Sequence, residues 1–228
     1  MEPEKKTDDR GEALLRQVRR LPPEQIEKES FSILSRGLAG RTFLPEEEPV
    51  IRRVIHTTAD FEYADTLCFS PQAVSKALSA LAQGTPIVTD TRMAQAGINK
   101  KALESLGGRT YCFMSDADVA QRAAREGVTR AAVSMEKAAE LGCDAIFAVG
   151  NAPTALIRLY ELIREGRLHP RLIIGVPVGF VNVEVSKELI GTLSDVPYIV
   201  ARGRKGGSNV AAAICNALLY QLVRGGKR

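Results

Sequence analysis

From residue 66 onward, six short apolar runs alternate with stretches of helical periodicity, and no other feature restricts the possible folds so tightly. The runs are TLCFS (66–70), PIVTDT (86–91), RTYCFM (109–114), DAIFAVG (144–150), RLIIGVPVG (171–179) and YIVARG (198–203). Each is too short to be a buried helix and has the length of a strand. Between them, PQAVSKALSALAQG places Val74, Ala77, Leu78 and Leu81 on one face. NAPTALIRLYELIREG does so with Leu156, Leu159 and Ile163, and SNVAAAICNALLYQLV with Val210, Ile214, Ala217 and Leu218. The segment 115–141 reads as helix broken near Gly127. Strand–helix alternation predicts a parallel sheet with helices on both faces, a three-layer α/β/α arrangement.

Ahead of the alternation lies an N-terminal helical arm. Residues 1–20 are charged and read as an extension, and 21–228 as a single domain without repeats or linkers. Helices are expected over 21–38 and over 44–60. The second is expected to carry Pro45 and Glu46 to Glu48 in its first turn, and Arg52, Arg53 and His56 toward its end, where cations suit the dipole. The first twenty residues lack the apolar core of a secretory signal, and no run approaches the roughly 18 apolar residues of a membrane span. A cytoplasmic protein without membrane partners is expected. Four dispersed cysteines with no CxxC pair (Cys68, Cys112, Cys143 and Cys215) read as buried free thiols. With two histidines, His56 and His169, a multi-histidine metal site is excluded. A net charge of +4 and 5% aromatic residues, with no basic stretch interleaved with aromatics, argue against nucleic acid as a partner.

In open sheets of this kind ligands sit beyond the carboxyl ends of the strands. Those ends are TDTRM, GNAPTAL, PVGFVNVEVSK and RGRKGGSN, the last three marked by Gly, Pro, Asn or Ser. RGRKGGSN (202–209) carries three cations, glycines for tight turns, and Ser208 as a helix cap, which suits an anion; it equally suits a solvated turn. Neither GxxxxGK[ST] nor GxGxxG is present. In GNAPTAL, Asn151 or Thr154 would cap the next helix, with Pro153 in its first turn. Gly179 either turns the chain or admits a flat ligand. Glu184 and Lys187, three apart, read as a surface pair. Arg53 and His56, also three apart, either complement a helix end or pair a guanidinium for a carboxylate with an imidazole for proton transfer. His169, before a proline in a polar loop, reads as surface.

Taken together, IVTDTRMAQAGINK, LGCDAIFAVGNAPTAL, IIGVPVGFVNVEVSKELI and ARGRKGGSNVAAAICNALL closely resemble the precorrin-8X methylmutases of cobalamin biosynthesis, over about 25–219. The resemblance implies a flavodoxin-like fold and a homodimer. The implied reaction moves a methyl group from C-11 to C-12 of a corrinoid ring, giving hydrogenobyrinate or, with cobalt in the ring, cobyrinate. No cofactor is implied, any cobalt belonging to the substrate, and hand-over to neighbouring enzymes of the pathway is expected. RRVIH matches the family's Arg-x-x-His, which makes His56 the proton donor and Arg53 a substrate contact. KESF points to Ser30, and VTRAAVSM to Arg130, as further contacts. Asn151, Gly179, Arg202, Arg204, Lys205 and Ser208 complete the expected binding set. Where many members have PVGFVGAAESK, this chain has Asn182, Val183 and Val185, which favours a cobalt-containing substrate. The competing expectations are a corrinoid carrier that channels product and a phosphate- or nucleotide-binding flavodoxin-like protein.

Overall fold

The computed structural model describes residues 9–140, 142 and 144–225; the first eight residues of the expected extension and Cys143 lie outside it. Contacts divide the chain into two units, Met1–Ala39 and Gly40–Arg228. The first unit carries α1 (Asp9–Gln17) and α2 (Pro23–Gly37).

The second unit runs α3 (Glu48–Thr58), α4 (Tyr63–Thr66), β1 (Leu67–Phe69), α5 (Ala73–Ala82), β2 (Ile87–Thr89), α6 (Arg92–Gly97), α7 (Lys100–Ser105), β3 (Thr110–Tyr111), α8 (Ala117–Glu126) and α9 (Arg130–Glu140). It continues with β4 (Ile146–Val149), α10 (Pro153–Arg164), β5 (Leu172–Gly175), α11 (Val183–Gly191), β6 (Tyr198–Ala201) and α12 (Ser208–Gly225). Every expected apolar run contains a strand. The break between α8 and α9 falls at Gly127, whose φ of 66° is the left-handed turn that ends a helix. Helix α3 starts at Glu48 and not near Pro45. Pro49 lacks an N–H and belongs in a first turn, while 44–47 forms a separate turn closed by Glu47 N–H to Leu44 O (2.9 Å).

The sheet order is β1-β6-β5-β4-β2-β3. Strands β2 to β6 are parallel and, counted among themselves, follow the flavodoxin-like order 2-1-3-4-5. Strand β1 departs from the all-parallel expectation: it pairs antiparallel with β6, Cys68 opposite Val200. A run such as TLCFS reads the same in either direction, and an antiparallel edge strand on a parallel sheet is a common solution.

Alternate residues of the central strands serve opposite faces. Val88, Phe147, Val149 and Ile173 join Val119, Met135, Leu156, Leu159 and Ile190 of α8–α11 in one core. Ile87, Ile146, Leu172 and Ile174, all buried, belong to the other face, where α5 and α12 meet the sheet and α3 and α6 pack on α12.

Candidate functional site

The direction of the crossovers reverses between β2 and β4, and the crevice at such a switch point is where open sheets place ligands. Asp90, directly after β2, is wholly buried there. Its Oδ1 accepts the N–H of Gly150 (2.9 Å), and its Oδ2 accepts those of Asn151 and Ala152 (both 2.8 Å). Burial pushes the carboxyl above its usual range, against the pull of these backbone N–H groups. A carboxylate from a distant strand thus satisfies the entry to α10. Neither Asn151 nor Thr154 caps it as expected; the cap residue is Ala152, with Pro153 in the first turn. Next to Asp90, Thr91 Oγ1 accepts the Ala94 N–H (3.0 Å) to cap α6 and meets the Ser208 hydroxyl at 2.7 Å. That contact brings the first residue of α12 to the end of β2.

The loop after β4 and the turn before α12 touch through backbone. A Cβ on Gly150 would lie 2.6 Å from Ser208 Cα and 2.8 Å from Gly207 O. A Cβ on Gly206 would strike the carbonyls of Val176 and Pro177, the second at 2.6 Å. These glycines are required by close approach. Gly207 N–H donates to Val176 O (2.9 Å), and Gly179 N–H to Arg204 O (3.3 Å), which lashes the loop after β5 to the turn 203–207.

Lys187 is the centre of this assembly. It is buried (3% exposed), and its Nζ donates to Gly203 O (2.7 Å) and Lys205 O (2.8 Å). It is no surface partner of Glu184, which instead meets Arg204 Nε at 3.2 Å. Helix α11 turns the lysine inward, and burial brings its pKa down to about 8, with Glu184 opposing. Lys205 Nζ reaches Asp60 Oδ2 and Glu62 Oε2, both at 2.6 Å. These carboxylates hold the Lys205 pKa above the usual lysine range, and Lys205 in turn lowers that of Asp60. Asp60 and Glu62 follow α3, so this pair of bonds ties the turn to the exit of the helix that carries His56.

The structure therefore gathers His56, Gly179, Arg202, Arg204, Lys205 and Asp60 on connected segments. His56 is exposed in the last turn of α3. On the same helix the Arg53 guanidinium lies 5.3 Å from the Tyr220 ring centroid on α12. Arg202 is exposed, its N–H donating to Thr66 O (2.8 Å). Arg204 lies over the Phe180 ring at 5.9 Å. Asn151 shares the switch-point loop with Asp90, its side chain exposed. Arg130 stands apart, exposed at the start of α9, where Thr129 Oγ1 meets Thr154 Oγ1 at 2.7 Å. Ser30 belongs to the first unit, with its hydroxyl donating to Ile26 O (2.8 Å). Asp90 is absent from the expected set. Its signal is an acid placed between a buried strand and a glycine-poor turn, where an exposed acid would be unremarkable.

Fold and site together define an α/β protein of flavodoxin-like topology whose working loops cluster at the carboxyl edge of the sheet. The model of the precorrin-8X methylmutase family matches residues 25–221, and the chain belongs to that family. It is 46% identical over 206 residues to the cobalt-precorrin-8 methylmutase of Salmonella typhimurium, covering 88% of this chain and 96% of that one. It is 44% identical over 210 residues to the cobalt-precorrin-8 methylmutase of Leptospira interrogans (89% and 96% covered). The crystal structure of the precorrin-8x methyl mutase from Thermus thermophilus superposes with a TM-score of 0.82 at 42% identity, covering 89% of this chain and 98% of that one. The protein is accordingly an enzyme, an isomerase of cobalamin biosynthesis.

Proposed function

We propose that the substrate is cobalt-precorrin-8 and that the enzyme moves its C-11 methyl group to C-12, giving cobyrinate, with His56 as the proton donor. The observation that carries this reading is the position of RRVIH. It lies within the matched residues, puts an exposed imidazole in the last turn of α3, and the exit of that helix is bound through Asp60 and Glu62 to the cationic turn. An imidazole is the side-chain type that exchanges a proton near neutral pH. Protonating the conjugated ring eases migration of a methyl from one sp3 carbon to its neighbour, and the same proton returns to His56 afterwards. The product is an isomer of the substrate, and no redox cofactor is called for. Arg53, Arg202 and Arg204, with Arg130 as a further contact, meet the acetate and propionate arms. Asn151, Gly179 and Ser208 supply backbone and small polar groups where the macrocycle lies flat. Lys205 holds the turn through Asp60 and Glu62 and borders the same surface.

The similarity to cobalt-precorrin-8 enzymes and the residues Asn182, Val183 and Val185 support the cobalt-containing ring. A homodimer in the cytoplasm belongs to the same reading. Val178, Phe180 and Val181 are exposed on one loop, Phe180 by 83%, as apolar groups awaiting cover are. Among the described residues no helix is long and apolar enough to cross a membrane.

The test is incubation of the purified protein with cobalt-containing and metal-free precorrin-8, followed by absorption spectra. Turnover of the cobalt form is expected, and conversion of the metal-free form alone would overturn the substrate assignment. His56→Ala should bind the corrinoid and lose about 10²- to 10⁴-fold in rate. Wild-type turnover in that variant would remove His56 from the mechanism. Rapid multiple turnover by the wild type separates an enzyme from a carrier that keeps its product.

A further inference from the structure

The turn 202–205 presents two exposed guanidiniums, yet its backbone carbonyls run inward, and a third cation waits beneath them. Gly203 O and Lys205 O accept from Lys187 Nζ, and Arg204 O accepts from Gly179 N–H. Three successive carbonyls are thus drawn into the protein. With them turned in, the side chains of Arg202 and Arg204 are left facing solvent. Among the described residues, Glu184 and the face of Phe180 steady Arg204. Without this inward donor, the two carbonyls would lose the partner that the structure gives them, a loss that backbone turned away from water rarely tolerates.

We propose that Lys187 is a positioning residue of the methylmutase site: by holding the carbonyls of Gly203 and Lys205 it fixes the turn that presents Arg202 and Arg204 to the carboxylate arms of the corrinoid. This rests on the reading of the substrate given above. It assigns the lysine a role that its spacing from Glu184 hides. An ammonium is suited to the task, since it offers three donors to converging carbonyls and accepts nothing.

Burial also leaves the anchor sensitive to pH, because its pKa lies near 8. The charged and titratable groups around it are Glu184 and Glu188 on α11, Cys68 on β1, Tyr198 on β6, and Arg202, Arg204 and Lys205 on the turn. Cys68, Glu184, Glu188, Tyr198 and Arg202 line with it a hollow of about 360 Å³. The Cys68 thiol is pushed above its ordinary range by burial, with Arg202 opposing.

The experiment uses the whole enzyme with cobyrinate as probe. In Lys187→Met at pH 7, Kd should rise tenfold or more, while the methyl-migration rate at saturating substrate changes less than threefold. The wild-type Kd should rise about tenfold between pH 7 and pH 9.5 at constant ionic strength, and that of the variant should stay flat. Without ligand, the amides of 203–207 should exchange with solvent at least tenfold faster in the variant at pH 7. Equal Kd in variant and wild type, or equal amide protection, overturns the proposal. Should the variant not fold, the wild-type profile decides, and a flat Kd from pH 7 to pH 9.5 overturns it. If the wild type binds no cobyrinate, the substrate reading fails, and amide exchange still decides whether Lys187 holds the turn.

Discussion

At the scale of single residues, the site depends on buried charges that grip backbone, and they come in opposite signs. Lys187 collects carbonyls under one loop, and Asp90 collects N–H groups under another. Asp90→Asn tests the second grip while leaving shape almost unchanged. An amide has one oxygen, so whichever way it turns, its NH₂ group faces a backbone donor that Oδ1 or Oδ2 now accepts. Hydrogen bonds to a charged group contribute about 1.5–3 kcal/mol, and a buried unsatisfied donor costs about 1–3 kcal/mol. The expected loss is about 1–3 kcal/mol, which for a chain of this length lowers Tm by roughly 2–12 °C. Thermal unfolding of the two proteins side by side measures it, and an unchanged Tm would show that the loop 150–152 keeps its shape without the carboxylate.

At the scale of elements, the alternating runs expose every strand of the sheet, because strand length and helix periodicity are local properties. What they hide is set by partners far away in the chain. The direction of β1 depends on β6, and the run TLCFS that holds it looks the same either way. Gly206 reads as a turn residue, but its lack of a side chain is dictated by carbonyls of Val176 and Pro177. Asp90 and Lys187 look like ordinary surface charges until β4 and the turn 203–205 close over them. The resemblance to the methylmutases, by contrast, was legible because the loops at the strand ends keep their order and composition. The helix layer over one face shows a similar dependence on distant partners. Glu136 of α9 is held by Arg122 of α8 and, at 2.6 Å, by Arg158 of α10, with its side chain only 12% exposed. One carboxylate therefore joins three helices and separates two guanidiniums. Glu136→Gln should cost about 1–3 kcal/mol, less than the 3–5 kcal/mol of breaking a fully buried pair, since both arginines retain other acidic partners. Arg16→Ala, whose pair with Glu12 is 79% and 70% exposed, should change stability by less than about 0.5 kcal/mol. Urea unfolding of the two variants gives the comparison, and equal effects would mean that the three-helix junction is no more than surface charge.

At the scale of the whole molecule, a net charge of +4 from 31 basic and 27 acidic residues is too small to capture an anion by its total. Placement matters more. Many arginines are neutralised in place, as Arg122 and Arg158 are by carboxylates from neighbouring helices. At the carboxyl edge of the sheet, Arg202 and Arg204 stay exposed on a turn that the backbone holds rigid. A ligand bearing several carboxylates would feel that local field only within about 10 Å at 0.1 M salt and within about 3 Å at 1 M. Binding of cobyrinate should therefore weaken about tenfold or more between 50 mM and 500 mM sodium chloride. On the proposed role of the turn, Arg204→Ala should flatten this dependence by removing one of its cations. Arg125→Ala, on the exposed side of α8 with a side chain 73% exposed, alters net charge by the same amount and should leave the dependence as it was. Titrations of the three proteins across the salt range separate placement from total charge. Equal slopes for the two variants would return the effect to net charge, and a flat slope in the wild type would mean that the carboxylate arms are recognised by hydrogen bonds to backbone instead of by the arginines of the turn.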